Sequence, residues 1–272
     1  MKKRNVLIII LTVLVFLSAA VLGVSTVYRV SEVTVDVATV STEAQAEAQA
    51  LQKELDAVYE KQSIFFLEQD SADEIVSRYP YFRITGFQKS YPNRLIVSVS
   101  EDEEVYALPC ENGEDGYYIL GADGTVLGVR EDYNNRSDAT GEMKNVLITG
   151  LSVTGEKGGA LSGDSALSYT LAFCGKLHEL LGGIRRNIVT VEVIKGGSAA
   201  DTVALRLTTF EGVKLYIRNP SLLTQEKAAL AVEKYFALSD SERTNGMIAV
   251  LDINGELSAF YSAQDEFFET IA

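Results

Sequence analysis

A chain of 272 residues with 47% hydrophobic residues can bury two modest cores, and its formal net charge of −14 argues against a nucleic-acid partner. No Lys/Arg cluster outside the N-terminal tail supplies the basic face that phosphates require. The presence of only two cysteines excludes a disulfide scaffold; Cys110 and Cys174 are expected as two separate buried thiols, with a single pair in an oxidising exterior as the competing reading.

The chain opens with Lys2, Lys3 and Arg4 and continues as an uncharged apolar run from Val6 to about Tyr28. Roughly 20 apolar residues rising about 1.5 Å each match a hydrocarbon core of about 30 Å, and basic residues in front favour a cytoplasmic N-terminus. Ser18, Ala19, Ala20 and Gly23 offer the small residues of a signal-peptidase site, which is the competing reading. Secretory apolar segments span about 7 to 15 residues, however, and here the run continues through Val21, Leu22, Val24 and Val27. A retained helix over 6–28, behind a cytoplasmic tail at 1–5, is expected. The exported remainder then carries −17, once the three positive charges of the tail are set aside.

Glu32 to Val40 alternates Val33, Val35 and Val37 against Glu32, Thr34 and Asp36, the period of a half-buried strand. Thr42 to about Lys61 is rich in Ala, Gln and Glu, with Ser41 or Thr42 as cap and Leu51, Leu55 and Val58 at helical spacing. Beyond a short apolar run, Ile64 to Leu67, a second helix is expected. Asp70 or Ser71 would cap it, Glu74 stands in position for a capping box, and Pro80 ends it after Arg78 or Tyr79. Tyr81 to Lys89 and Leu95 to Glu101 predict two strands joined by a turn at Tyr91 to Arg94. The order strand, helix, helix, strand, strand gives a small α+β unit with its helices on one face of a three-stranded sheet and its sheet edges free.

The second unit is richer in strands. Tyr117 to Leu120 and Thr125 to Val129 flank an Asp123-Gly124 hairpin turn, and Val146 to Thr149 is a further strand. Ala166 to Leu181 predicts an amphipathic helix ended by Gly182-Gly183. Ile188 to Ile194, Val203 to Thr209 and Val213 to Ile217 read as strands, and Thr224 to Leu238 as a helix. Met247 to Ile253 and Glu256 to Tyr261 form a terminal hairpin around Asn254-Gly255. The polar, Gly/Ser-rich stretches 131–145 and 152–165 are expected to be loops.

The chemistry-bearing residues are sparse. His178 reads as a surface or half-buried residue of its helix. There is no Gly-x-Ser-x-Gly elbow, no Ser-x-x-Lys pair and no phosphate-binding glycine pattern. Asp252-Ile253-Asn254-Gly255 begins like a calcium loop but lacks its later ligands, so a hairpin turn is expected. The run Glu101 to Glu104 reads as a solvated strand end. No catalytic, metal or cofactor site is expected.

The segment Arg78-Tyr79-Pro80-Tyr81-Phe82-Arg83-Ile84, followed by Lys89-Ser90-Tyr91-Pro92-Asn93-Arg94-Leu95-Ile96-Val97-Ser98-Val99, resembles the FtsQ/DivIB family of bacterial cell-division proteins. That family carries a polypeptide-transport-associated (POTRA) domain. Tyr117 to Leu127, Val203 to Ile217, Glu226-Lys227 and Leu251-Asp252-Ile253 follow the family's order through its second, β domain. The chain departs from the pattern in its long Ala/Gln/Glu-rich helix after Val40, in Glu101-Asp102 at the end of the third strand, and in Asn254-Gly255 directly after Ile253.

The resemblance implies an α+β chain: one transmembrane helix, a POTRA-type β-α-α-β-β domain at 29–104, a mixed, mainly antiparallel β domain with two helices at 105–261, and a tail at 262–272. It implies a non-enzymatic divisome scaffold in the cell membrane at the division septum. Its partners would be FtsL-like and DivIC/FtsB-like membrane-anchored coiled-coil proteins, and it would help to control septal wall synthesis. Arg218 falls at or one residue from a basic position that some members use for partner contact. The last hairpin offers an edge strand, which makes Ile248, Val250, Asp252, Leu257, Ala259 and Tyr261 the other candidate contacts. The tail is the competing cover for that edge, through Phe267 and Phe268. An extracytoplasmic sensor, or a secreted enzyme released from a cleaved leader, is the alternative class; an outer-membrane assembly protein would need barrel strands that are not seen.

Overall fold

The computed structural model describes residues 2–39, 41–110, 116–136, 143–196, 203–253 and 255–264. They form an α+β chain with one N-terminal apolar helix and two larger mixed sheets, in two compact units, Met1–Glu101 and Asp102–Ala272. Helix α1 (Lys2–Val27) contains the stretch Ile10–Val27, whose mean hydropathy is 2.4 and none of which is buried. It is long and apolar enough to cross a membrane. Its hydroxyls turn back on their own helix, Ser18 to the Leu14 carbonyl and Thr26 to that of Leu22, both at 2.8 Å, so hydrocarbon surroundings leave them satisfied.

The rest of the first unit runs β1 (Glu32–Asp36), α2 (Thr42–Tyr59), a 3-10 turn (Ile64–Phe66), α3 (Gln69–Val76), β2 (Phe82–Ser90) and β3 (Arg94–Glu101). The sheet order is β1-β3-β2, with β1 parallel and β2 antiparallel to β3. Buried Leu51 and Leu55 of α2, Ala72 and Ile75 of α3, and Val33, Leu95 and Val97 of the sheet supply the core. Ser41 starts α2 as expected, its Oγ accepting from the Ala44 N–H at 3.0 Å. The start of α3 differs from expectation. The extended backbone of buried Leu67 continues through Glu68, which stands at the N-cap without a side-chain bond, so the helix begins before Asp70 and no capping box forms. The outer edge of β1 is not free either. The Gln52 amide accepts from the Val35 N–H at 2.8 Å and donates to the Val33 carbonyl at 2.7 Å.

The second unit holds β4 (Glu104–Pro109), β5 (Tyr117–Gly121), β6 (Val126–Arg130), β7 (Val146–Thr149), the short pair β8 (Val153–Thr154) and β9 (Ser162–Gly163), and α4 (Leu167–Leu181). After these come β10 (Ile188–Lys195), β11 (Val203–Thr209), β12 (Lys214–Arg218), α5 (Thr224–Phe236), the single turn α6 (Asp240–Arg243), β13 (Met247–Ile253) and β14 (Glu256–Ser262). Nine strands form one sheet in the order β14-β13-β12-β11-β10-β7-β4-β5-β6. Its pairs are antiparallel except β12-β13, β10-β7 and β4-β7. Phe173, Cys174 and Leu177 of α4 and Ala228, Ala231 and Tyr235 of α5 share a core with Val191, Leu205, Leu215, Ile248 and Val250 of the sheet. Ala204, Tyr216, Met247 and Ala249 form a separate buried cluster. Gly182 ends α4 in the left-handed conformation, φ 63°, where the absence of a Cβ removes the steric cost.

Two further expectations are corrected here. Glu104 is fully buried rather than a solvated strand end, because Arg130 grips both of its carboxylate oxygens, at 3.0 and 2.8 Å. Asn145 and the Arg136 N–H donate to the same carboxylate, so the charge is paired and its lone pairs are filled. Both cysteines are free thiols, Cys174 buried as expected but Cys110 only half-buried. The Phe267 and Phe268 reading, and Asn254 of the last turn, lie outside the described residues.

Candidate partner-binding edge

β14 is one edge of the nine-stranded sheet. Its neighbour β13 is apolar on both faces, with Met247, Ile248, Ala249 and Val250 all fully buried, as a strand covered on both sides requires. β14 alternates instead. Leu257, Ala259 and Tyr261 are half-buried against the core beneath α5, while Phe260, opposite Ala249, is 43% exposed. The two strands pair from Met247 opposite Ser262 to Ile253 opposite Glu256 without a register shift. β14 contains no Pro, no Lys and no bulge, the usual devices that blunt an edge, and among the described residues no main-chain hydrogen bond leaves its outer side. Alternate N–H and C=O groups therefore point outward, at the spacing an extended segment needs to add as a tenth strand.

The sequence-predicted residues divide around this edge. Ile248 and Val250 are fully buried core side chains on a strand paired on both sides. Asp252 is exposed, but its Oδ1 accepts from the Gly255 N–H at 2.9 Å and closes the hairpin. Arg218 ends β12 and is separated from β14 by β13. Leu257, Ala259 and Tyr261 lie on the edge strand with their side chains turned inward, and the Tyr261 hydroxyl donates to the Asn245 carbonyl at 3.2 Å. What β14 offers outward is main chain, together with Phe260, which the simple alternation of the strand already places on the face opposite Tyr261.

Lys227 was the less legible member of this region. It is 2% exposed, and its Nζ donates to the carbonyls of Arg218 and Asn219, both at 2.7 Å. Burial pulls its ammonium below the ordinary lysine value, opposed by the carboxylate of Asp252. One side chain thus fastens the turn after β12, where Asn219 holds a positive φ of 48°. The signal in the sequence is a lysine beside Ala228 and one turn before Ala231, both fully buried.

Among the described residues no group of three or more His, Cys, Asp or Glu could hold a metal ion. Cys174 stands one turn before His178 on α4, which corrects the expectation that His178 has no Cys at ligand spacing. Burial pushes its thiol up to about 12, which keeps it protonated and a poor nucleophile or ligand. A groove of about 490 Å³ is lined by Met143, Lys144, Arg185, Arg186 and exposed Phe210, and Arg185 is already engaged with Glu103 at 2.6 Å. No protein-family model and no curated protein matches this chain.

Proposed function

We propose that this chain is a membrane-anchored, non-enzymatic scaffold of the FtsQ/DivIB type, with α1 in the membrane and both units outside it. In this reading the first unit is a POTRA-type domain. The last strand of the second unit takes up an extended segment from an FtsL-like or DivIC/FtsB-like partner at the division septum. The observation that carries the reading is β14, a regular seven-residue edge whose outward main-chain groups have no main-chain partner among the described residues. A membrane anchor favours such an interaction, because a partner tethered in the same bilayer meets the edge at raised effective concentration.

The test is capture from detergent-solubilised membranes with two single variants, Ser258→Pro and Ala259→Pro. Successive residues of a strand direct their N–H groups to opposite sides, so one variant deletes an outward donor and the other a donor to β13. The outward variant is expected to keep its Tm and lose a coiled-coil partner; the inward one is expected to lose Tm. Equal capture by both well-folded variants and the parent chain would sink the edge as the binding site, and recovery of no such partner by the parent would sink the scaffold reading.

A further inference from the structure

We infer that the first unit makes a second membrane contact: the turn Ile64–Phe66, with Tyr28 and Tyr91 beside it, sits in the outer interfacial layer of the bilayer. This rests on reading α1 as a membrane span. The local sequence Ile64-Phe65-Phe66-Leu67 is buried at its two ends, 0% and 4% exposed, and presents its centre, with Phe65 49% and Phe66 84% exposed. The unit's core holds the turn by its flanks and pushes two phenylalanines outward. Tyr91, 58% exposed, joins them from the β2-β3 turn. Ring centroids are 4.9 Å apart for Tyr28 and Phe65, 5.7 Å for Phe65 and Tyr91, and 6.4 Å for Tyr28 and Tyr91. A cluster of this kind is poorly suited to water and well suited to the headgroup boundary, where aromatic side chains concentrate.

Its depth is fixed by main-chain bonds to the end of α1. The Ile64 N–H donates to the Tyr28 carbonyl at 2.9 Å, Val30 N–H to Gln62 at 2.8 Å, and Lys61 N–H to Val30 at 2.9 Å. The Ser31 N–H reaches the Asn93 carbonyl at 2.9 Å and so ties in the β2-β3 turn as well. A cleft of about 370 Å³ separates Leu17, Val21, Ser25 and Tyr28 of this stretch from Phe65 and Phe66. Leu17 lies about 15 Å before the end of the helix at the α-helical rise, so the rings stand beside its last turns. If α1 spans the bilayer, a cleft at that level is filled by acyl chains. Exposed Arg29, which follows Tyr28 and bridges Ser63, and Lys89, whose Nζ donates to the Phe65 carbonyl at 3.5 Å, lie next to these aromatics and suit anionic headgroups.

The chain has no Trp, so a single introduced Trp reports on its own surroundings. The full chain is reconstituted into phosphatidylcholine/phosphatidylglycerol vesicles with lipids brominated either near the headgroup or near the chain end, carrying in turn Leu14→Trp, Phe66→Trp or Thr85→Trp. Leu14 lies within α1, and Thr85 is exposed on β2, about 20 Å along the strand from Tyr91. Leu14→Trp should be quenched most by the deep label. Phe66→Trp should lose about half its emission to the shallow label with a blue shift, and Thr85→Trp should lose none. Unquenched Phe66→Trp alongside quenched Leu14→Trp overturns the second contact and leaves the span intact. Unquenched Leu14→Trp overturns the span itself, and equal shallow quenching of Phe66→Trp and Thr85→Trp overturns the localised contact.

Discussion

At one end of the nine-stranded sheet, β6 is five residues long and its main chain is already engaged at Val126; at the other, β14 runs seven residues with its outer side open among the described residues. The Val126 N–H donates to the Gly159 carbonyl at 2.9 Å, the Gly158 N–H returns to the Val126 carbonyl at 2.8 Å, and Thr125 bridges Ala160. The β5-β6 register also shifts at Ile119/Leu120. Among the described residues β14 has neither a cover nor a shift. The first unit repeats the protected solution at β1, where a glutamine side chain stands in for the missing strand. Edge character in this protein is thus decided by what the neighbouring chain does, more than by the residues of the strand itself.

Four measurements would break or sharpen that contrast. The largest effect is expected from Glu104→Ala, which leaves Arg130, at 15% side-chain exposure, without its counter-charge at the β6 end. A loss of about 3 to 5 kcal/mol in urea unfolding is expected, and a loss below about 1 kcal/mol would contradict a closely held pair. Gly158→Pro comes next. Its φ of +84° is closed to proline, and the substitution deletes the bond to Val126. About 2 kcal/mol should be lost, with faster hydrogen exchange at the Val126 amide; unchanged exchange would show that the loop does not guard β6.

Phe260→Lys places a charge on the exposed face of β14. Partner capture should fall about tenfold while Tm stays within a few degrees, and unchanged capture would remove this face from the interface. The smallest effect is at Lys227. Its native value lies below the ordinary 10.5, so between the two values the unfolded chain binds more protons, and this group's contribution to stability rises with pH. Tyr235, pushed up to about 12 by burial and by its hydrogen bond to Glu211, acts the other way in that range, because the native state keeps a proton the unfolded chain has lost. Stability of the parent minus that of Lys227→Met should therefore climb with pH up to about 10.5, and a flat difference would remove the buried charge from the account.

The hairpin that forms the open edge was legible from alternation and turn residues alone: Met247–Ile253 is a strand as expected, and β14 extends the expected one by Ser262. Helices α2, α4 and α5 lie within two residues of their expected ends, because caps and apolar spacing act locally. β4 escaped notice, since three acids precede it, a fourth opens it, and the partner that makes Glu104 buriable, Arg130, lies 26 residues away. α6 and the β8-β9 pair are too short to carry a period. The burial of Ile248 and Val250 follows from strand order, which no local pattern encodes. Lys227 was hidden for a related reason: its partners are main-chain carbonyls, and carbonyls have no sequence signature.

The loop beside β6 also bears on how the sheet can grow. A sheet open at both ends can accept strands in either direction and propagate from molecule to molecule into a fibre, as any head-to-tail contact that fails to close does. With Val126 already bonded to residues 158 and 159, an added strand meets fewer open groups at β6 than along β14, whose outer side is open among the described residues. Growth is thus biased to one end of the sheet, which favours a discrete assembly over a polymer.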